Sequence, residues 1–162
     1  MARSRKIERR EPAHNHRVDP ADPLDLERFV AAQGGIYADV IGELREARKT
    51  RHWMWFVFPQ VLGLGQTATS RRYAIRSLRE ARAYLDHPVL GRRLRECTDL
   101  VVAAPPGATA ESIFGGIDAL KLRSSMTLFL RAAPDEPRWQ QVLDRFYRGA
   151  PDERTDELLG GG

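Results

Sequence analysis

The chain has 162 residues, with 26 Lys+Arg against 22 Asp+Glu, 42% hydrophobic residues and one cysteine. That is enough chain for one domain and too apolar for wholesale disorder. The longest apolar run, Trp53–Phe58, is too short for a membrane span, and a lone Cys97 gives no internal disulfide, so a soluble, cytoplasmic single-domain protein is expected.

Residues 1–23 are rich in Arg, Glu, His, Pro and Asp and offer only Ile7 and Val18 to a core. They read as a disordered extension, and the basic start lacks the apolar stretch of a signal peptide. Asp22-Pro23 resembles a helix start, and Leu26, Phe29 and Val30 follow at helical spacing up to Gly34-Gly35. Ile36, Val40 and Leu44 predict a second helix to about Arg48, with Asp39, Glu43 and Glu46 on its solvated face. Thr50–Pro59 is compatible with a buried strand or a buried helical stretch, and Gly63-Leu64-Gly65 marks a loop.

Ser70 resembles the N-cap of one long helix, 70–86, with Ala74, Leu78, Ala81 and Leu85 as its apolar stripe. After His87-Pro88, the residues Leu90, Leu94, Cys97 and Val101 form a three-turn apolar face that makes Cys97 a buried structural thiol. Pro105-Pro106-Gly107 interrupts the chain, and Thr109 can cap a short helix ending at Gly115-Gly116. Asp118 can open the next helix, edged by Leu122, Met126 and Phe129. Trp139, Val142, Leu143 and Phe146 predict an amphipathic helix stopped at Gly149, and residues 150–162 read as a fraying tail. The expectation is an all-α domain, residues 24–149, of about seven or eight helices with short Pro/Gly loops.

The net charge of +4 is unevenly spread: residues 45–95 hold twelve Lys/Arg against three Asp/Glu, while 24–44 and 96–162 are net acidic. This basic region contains Arg48-Lys49-Thr50-Arg51-His52-Trp53-Met54-Trp55, where cations adjoin indoles. Such a pairing suits gripping an anion while stacking on a planar group; the same rings would equally serve as core, with the cations at its rim. Lys121, Ser124 and Ser125 lie at i, i+3 and i+4 on one helix face. They can contact a ligand, serve neighbouring helix ends, or, with Lys121 as base, make Ser125 a nucleophile. Arg71, Arg72, Arg76, Arg79 and Arg82, with Arg92, Arg93 and Arg95, could follow a phosphate backbone, although no nucleic-acid-binding signature accompanies them. The four histidines lack metal-ligand spacing, so no metal and no cofactor are expected.

The strings RKTRHWMWFVFPQVLGLG (48–65), SLREARAYLDHPVLGRRLRECT (77–98) and KLRSSMTLF (121–129) resemble the bacterial domain-of-unknown-function family 1810, an Rv1873-like superfamily. The resemblance covers residues 24–149. It implies an all-helical fold without metal or disulfide, and it implies no activity. Ala47, Gln66 and Gly116-Ile117-Asp118 stand where this chain departs from the family pattern.

In these strings, in the similar segment Leu26–Gln33 and close beside them, Gln33, Tyr37, Arg48, Lys49, His52, Trp53, Gln60, Tyr73, His87, Lys121, Ser124 and Ser125 are the expected ligand-binding residues. They would converge on one cationic, aromatic-lined cleft for an anionic, nucleotide-like or phosphorylated small molecule. Trp53 and Tyr37 would stack, and His52, Lys121 or Ser125 would carry any proton chemistry. The alternative is a non-catalytic protein whose basic 45–95 region docks an acidic partner or RNA.

Overall fold

The computed structural model describes residues 19–160, so most of the expected N-terminal extension, including His14 and His16, lies outside them. Ten helices occur among the described residues: α1 (Glu27–Gly34), α2 (Tyr37–Arg45), α3 (Met54–Val57), α4 (Ala68–Arg72), α5 (Leu78–Asp86), α6 (Leu90–Val102), α7 (Ala110–Phe114), α8 (Gly116–Ala132), α9 (Pro137–Phe146) and α10 (Glu153–Gly160). The all-α class is as expected, with more helices than the seven or eight read from the sequence. None is long and apolar enough to cross a membrane among the described residues.

The centre of the molecule is α8, which packs against α5, α7, α9 and α10. It is enclosed nearly all round, from Leu122 through Ser124, Ser125 and Met126 to Phe129. A chain of rings, Phe29–Tyr84–Phe129–Trp139, runs through the core with centroids 5.0–5.7 Å apart. The predicted stripe Leu90, Leu94, Cys97 and Val101 is fully buried, and burial pushes the Cys97 thiol up to about 12. Such a thiol is inert.

Three local readings change. The single helix 70–86 is two helices, α4 capped by Thr67 and α5 capped by Ser77. Between them the chain runs beside the segment after Pro59, with Ile75 N–H donating to Gln60 O and Leu62 N–H to Ile75 O, both at 2.8 Å. Arg72, Arg76 and Arg79 therefore do not line up on one helix. The two hydroxyl caps and the Ile75 ladder outweigh the helical periodicity. The link is fixed by Arg28, which donates to Arg72 O, Ala74 O and buried Glu80.

The expected fraying tail instead contains α10. Asp152 begins it, accepting from Ser124 Oγ at 3.2 Å and from Thr155 N–H at 3.0 Å, while its own N–H donates to Thr127 Oγ1 at 2.8 Å. Finally, α8 starts at Gly116, ahead of Asp118, because Gly115 takes φ +85° and turns the chain directly out of α7.

Candidate functional site

The ambiguous Thr50–Pro59 segment is an irregular loop followed by one helical turn, α3. Two contacts set its course. Ala47 adopts φ +55° after α2, and Lys49 N–H donates to Ile113 O at 2.8 Å, laying the chain along α7. Glu43 then holds the loop from beneath. One of its oxygens accepts from Thr50 N–H (2.7 Å), Arg51 N–H (3.1 Å) and the Trp53 indole N–H (2.9 Å), and the other from Arg51 Nη1 (2.7 Å). Burial opposes ionisation of this carboxyl, but the hydrogen bonds outweigh it and hold the group at about 2. Glu43 is thus a buried anchor and not part of a solvated face.

Trp53 is fully enclosed against Phe58 and Phe114. It is core, and its ring has no surface open to a ligand. The half-exposed indole of this motif is Trp55. Lys121 Nζ lies 4.0 Å from its ring centroid. A Cβ placed on Gly65 would lie 2.6 Å from both Ser70 Cβ and Ser70 Oγ, so the Gly63–Gly65 loop closes against the start of α4 only because position 65 has no side chain, while the edge of the Trp55 ring would stand at an ordinary contact distance of 3.6 Å.

Beside Trp55, two lysines share one carboxylate. Lys49 Nζ is 2.6 Å from Asp118 Oδ2, and Lys121 Nζ is 3.1 Å from Asp118 Oδ1. The side chains are largely withdrawn from water, with exposures of 7% (Lys49), 20% (Lys121) and 16% (Asp118). Burial works against the Asp118 charge, yet the two ammonium groups prevail and keep its carboxyl below the usual range. The cluster carries one net positive charge, sits over two indoles (Lys49 Nζ is 5.2 Å from the Trp53 ring) and opens at Trp55.

The Lys121-Ser124-Ser125 face divides. Lys121 turns to Asp118 and Trp55, whereas Ser124 turns to Asp152 and to Leu120 O. Ser125 is fully buried, and its Oγ has no hydrogen-bond partner. No base stands within hydrogen-bond reach of that hydroxyl, and Lys121 is an ion-paired ammonium, so the arrangement of an activated nucleophile is missing. Arg48 and His52 are exposed on the same loop.

The remaining expected residues lie elsewhere. Gln33 donates to Phe56 O (2.7 Å) and Tyr84 Oη (3.2 Å) and accepts from Arg93 (3.2 Å). Tyr37 donates to Glu96 (2.6 Å), with the Arg93 guanidinium 4.6 Å from its ring. These form a structural network joining α1, α2 and α6. Tyr73 packs on Phe29 and Phe56, and Gln60 contributes its carbonyl to Ile75. His87 Nδ1 accepts from Val89 and Leu90 N–H at 3.1 and 3.2 Å, capping the start of α6. It lines a concavity of about 780 Å³ together with Arg92, Arg95, Asp86, Glu96 and Asp99. Two arginines against three carboxylates make that groove a poor receptor for an anion.

The structure therefore joins Lys49 and Lys121 at Asp118 beside Trp55, two residues outside the expected set, and leaves Arg48 and His52 exposed on the loop that carries Lys49. Trp55 stands in the quoted motif, but with strand and helix both open for Thr50–Pro59 its spacing from Trp53 gives no signal, since residues two apart share a face in a strand and oppose each other in a helix.

A family model described as Protein of unknown function (DUF1810) matches residues 23–159. Among solved structures, the chain is similar to the conserved hypothetical protein Rv1873 from Mycobacterium tuberculosis. The two are 52% identical with a TM-score of 0.84, over 86% of this chain and 99% of that one. No curated protein matches.

Proposed function

We propose, for a chain that belongs to the DUF1810 family, that the Trp55–Lys121–Lys49 cluster binds an anionic, nucleotide-like or phosphorylated small molecule. One observation carries this reading: two ammonium groups, mostly withdrawn from water, share a single carboxylate beside a half-exposed indole. A desolvated charge without a counter-charge is costly, and an arriving anion supplies it. The exposed part of Trp55 offers the apolar surface on which a planar group stacks. Arg48 and His52 would meet the outer part of the ligand, and His52 is the exposed side chain there suited to proton transfer.

Calorimetric titration with pyrophosphate and with ATP tests the reading. Lys121→Met keeps the aliphatic stem on Trp55 and leaves Lys49 and Asp118 as a one-to-one pair, so the fold is retained. Loss of one charge-assisted contact lowers affinity about 10-fold or more. Absence of binding by both anions, or an unchanged affinity in Lys121→Met, would overturn the proposal. Binding that falls steeply with salt and ignores Lys121→Met would favour the alternative of an acidic partner or RNA on the surface arginines.

A further inference from the structure

The large hydrophobic side chains left exposed among the described residues are Leu62, Ile117 and Leu120, at 41%, 72% and 65%. Two of the three stand on the first turns of α8. With about 100° per residue, Ile117 projects between Leu120 and Lys121, so the apolar pair borders the cation cluster on the same side of the helix. The core does not require them there: Ala119, Leu122 and Met126 already fill the buried side of α8. A β-branched Ile in an exposed helical position is not explained by helix propensity either. Farther along this face, Ser124 is covered by α10 through Asp152, which leaves the turn carrying Ile117 and Leu120 open.

We infer that the ligand of this site is amphiphilic: a phosphate- or diphosphate-type anion whose hydrocarbon substituent lies on Ile117 and Leu120. This rests on the anion reading of the same cluster and adds the part that a plain nucleotide leaves unused. The charge complementarity is local. The anionic end meets Lys121 and Lys49 beside Trp55, and the substituent passes around the first turns of α8 from Lys121 over Ile117 to Leu120. A wholly hydrophilic ligand would leave the adjoining apolar surface in water, and a neutral hydrocarbon would leave the excess ammonium charge uncompensated.

The test compares methyl diphosphate with hexyl diphosphate, both below micelle-forming concentration, on the full chain and on Ile117→Ser and Leu120→Ser. Hexyl diphosphate is expected to bind the unaltered chain roughly 10-fold tighter, since each methylene buried adds to affinity. Either substitution should erase most of that advantage while leaving methyl diphosphate affinity unchanged. Both positions are exposed, so neither variant should unfold. Equal affinity for the two alkyl diphosphates, or an advantage that survives both substitutions, overturns this inference and leaves the anion site standing. Failure of methyl diphosphate, hexyl diphosphate, pyrophosphate and ATP alike removes the anion site as well. Two further results would also overturn it by assigning the patch another occupant. One is binding to phosphatidic acid vesicles without binding to soluble hexyl diphosphate. The other is a concentration-dependent dimer in sedimentation that disappears in Leu120→Ser.

Discussion

Gly91→Ala is expected to destabilise the protein by about 3 kcal/mol or more, the upper end for overpacking a core, lowering its melting temperature by roughly 6–12 °C. Gly91 lies in the first turn of α6, where that helix crosses the end of α5. A Cβ there would stand 2.0 Å from Leu85 O, and 2.8 Å from both the Leu85 carbonyl carbon and Arg95 Nη1. Arg95 can swing aside, but the Leu85 carbonyl is backbone, so relief requires α5 and α6 to separate. Separation also disturbs the Arg95 donation to Leu85 O at 3.1 Å and the Arg95–Glu136 pair. Gly42→Ala is the control. That position is inside α2 with nothing within 4 Å of the added carbon, and the change should stabilise by roughly 1 kcal/mol through helix propensity alone. Thermal unfolding of the two variants should therefore move in opposite directions. An unaltered melting temperature in Gly91→Ala would contradict the described α5–α6 contact.

Glu43→Gln is expected to cost about 3 kcal/mol, as suits a buried carboxylate with several charge-strengthened hydrogen bonds. A Gln oxygen can still accept from Thr50 and Arg51 N–H. Its amide then meets Arg51 Nη1 donor to donor, and the charge that opposes Arg51 is gone. The consequence reaches the proposed site, because Glu43 fixes the loop that leads from Lys49 through His52 to Trp55. The acid dependence follows from the sign of the shift. The folded carboxyl titrates at about 2, below its ordinary 4.5. Its stabilisation is thus complete above about pH 4.5 and is lost as the pH falls toward 2. Urea unfolding across this range should show a smaller loss of stability in Glu43→Gln than in the unaltered chain. Parallel acid limbs in the two proteins would show that Glu43 is not the anchor described.

Where a helix buries one face and leaves the other in water, the sequence is easy to read. Leu90, Leu94, Cys97 and Val101 repeat at helical spacing because α6 packs on one side only, and Thr109 announces α7 by a capping box with Ser112. Periodicity fails where burial has another source. Glu43 occupies a polar position on α2, and only the return of the chain over it, from Ala47 to Trp53, takes it out of water. From Leu122 to Phe129 helix α8 is covered nearly all round, so Ser124, Ser125 and Thr127 are as buried as Leu122 and Leu128 and no stripe reveals which face meets the site. The basic region was visible, but the pairings inside it were not. Asp118, which read as a helix start 69 residues beyond Lys49, became the carboxylate that the two lysines share only through the α7–α8 turn. Trp53 and Trp55 are chemically alike, and the Glu43 hydrogen bond decides which one the core takes.

Tryptophan fluorescence offers the most direct test of the anion site. Trp53 and Trp139 are fully buried, while Trp55 is half-exposed against Lys121. Titration with ATP should change the emission saturably, and Trp55→Leu should abolish the change with the melting temperature nearly unaltered. An unchanged titration in Trp55→Leu, or no saturable response in the unaltered chain, would contradict a ligand seated on the Trp55–Lys121–Lys49 cluster.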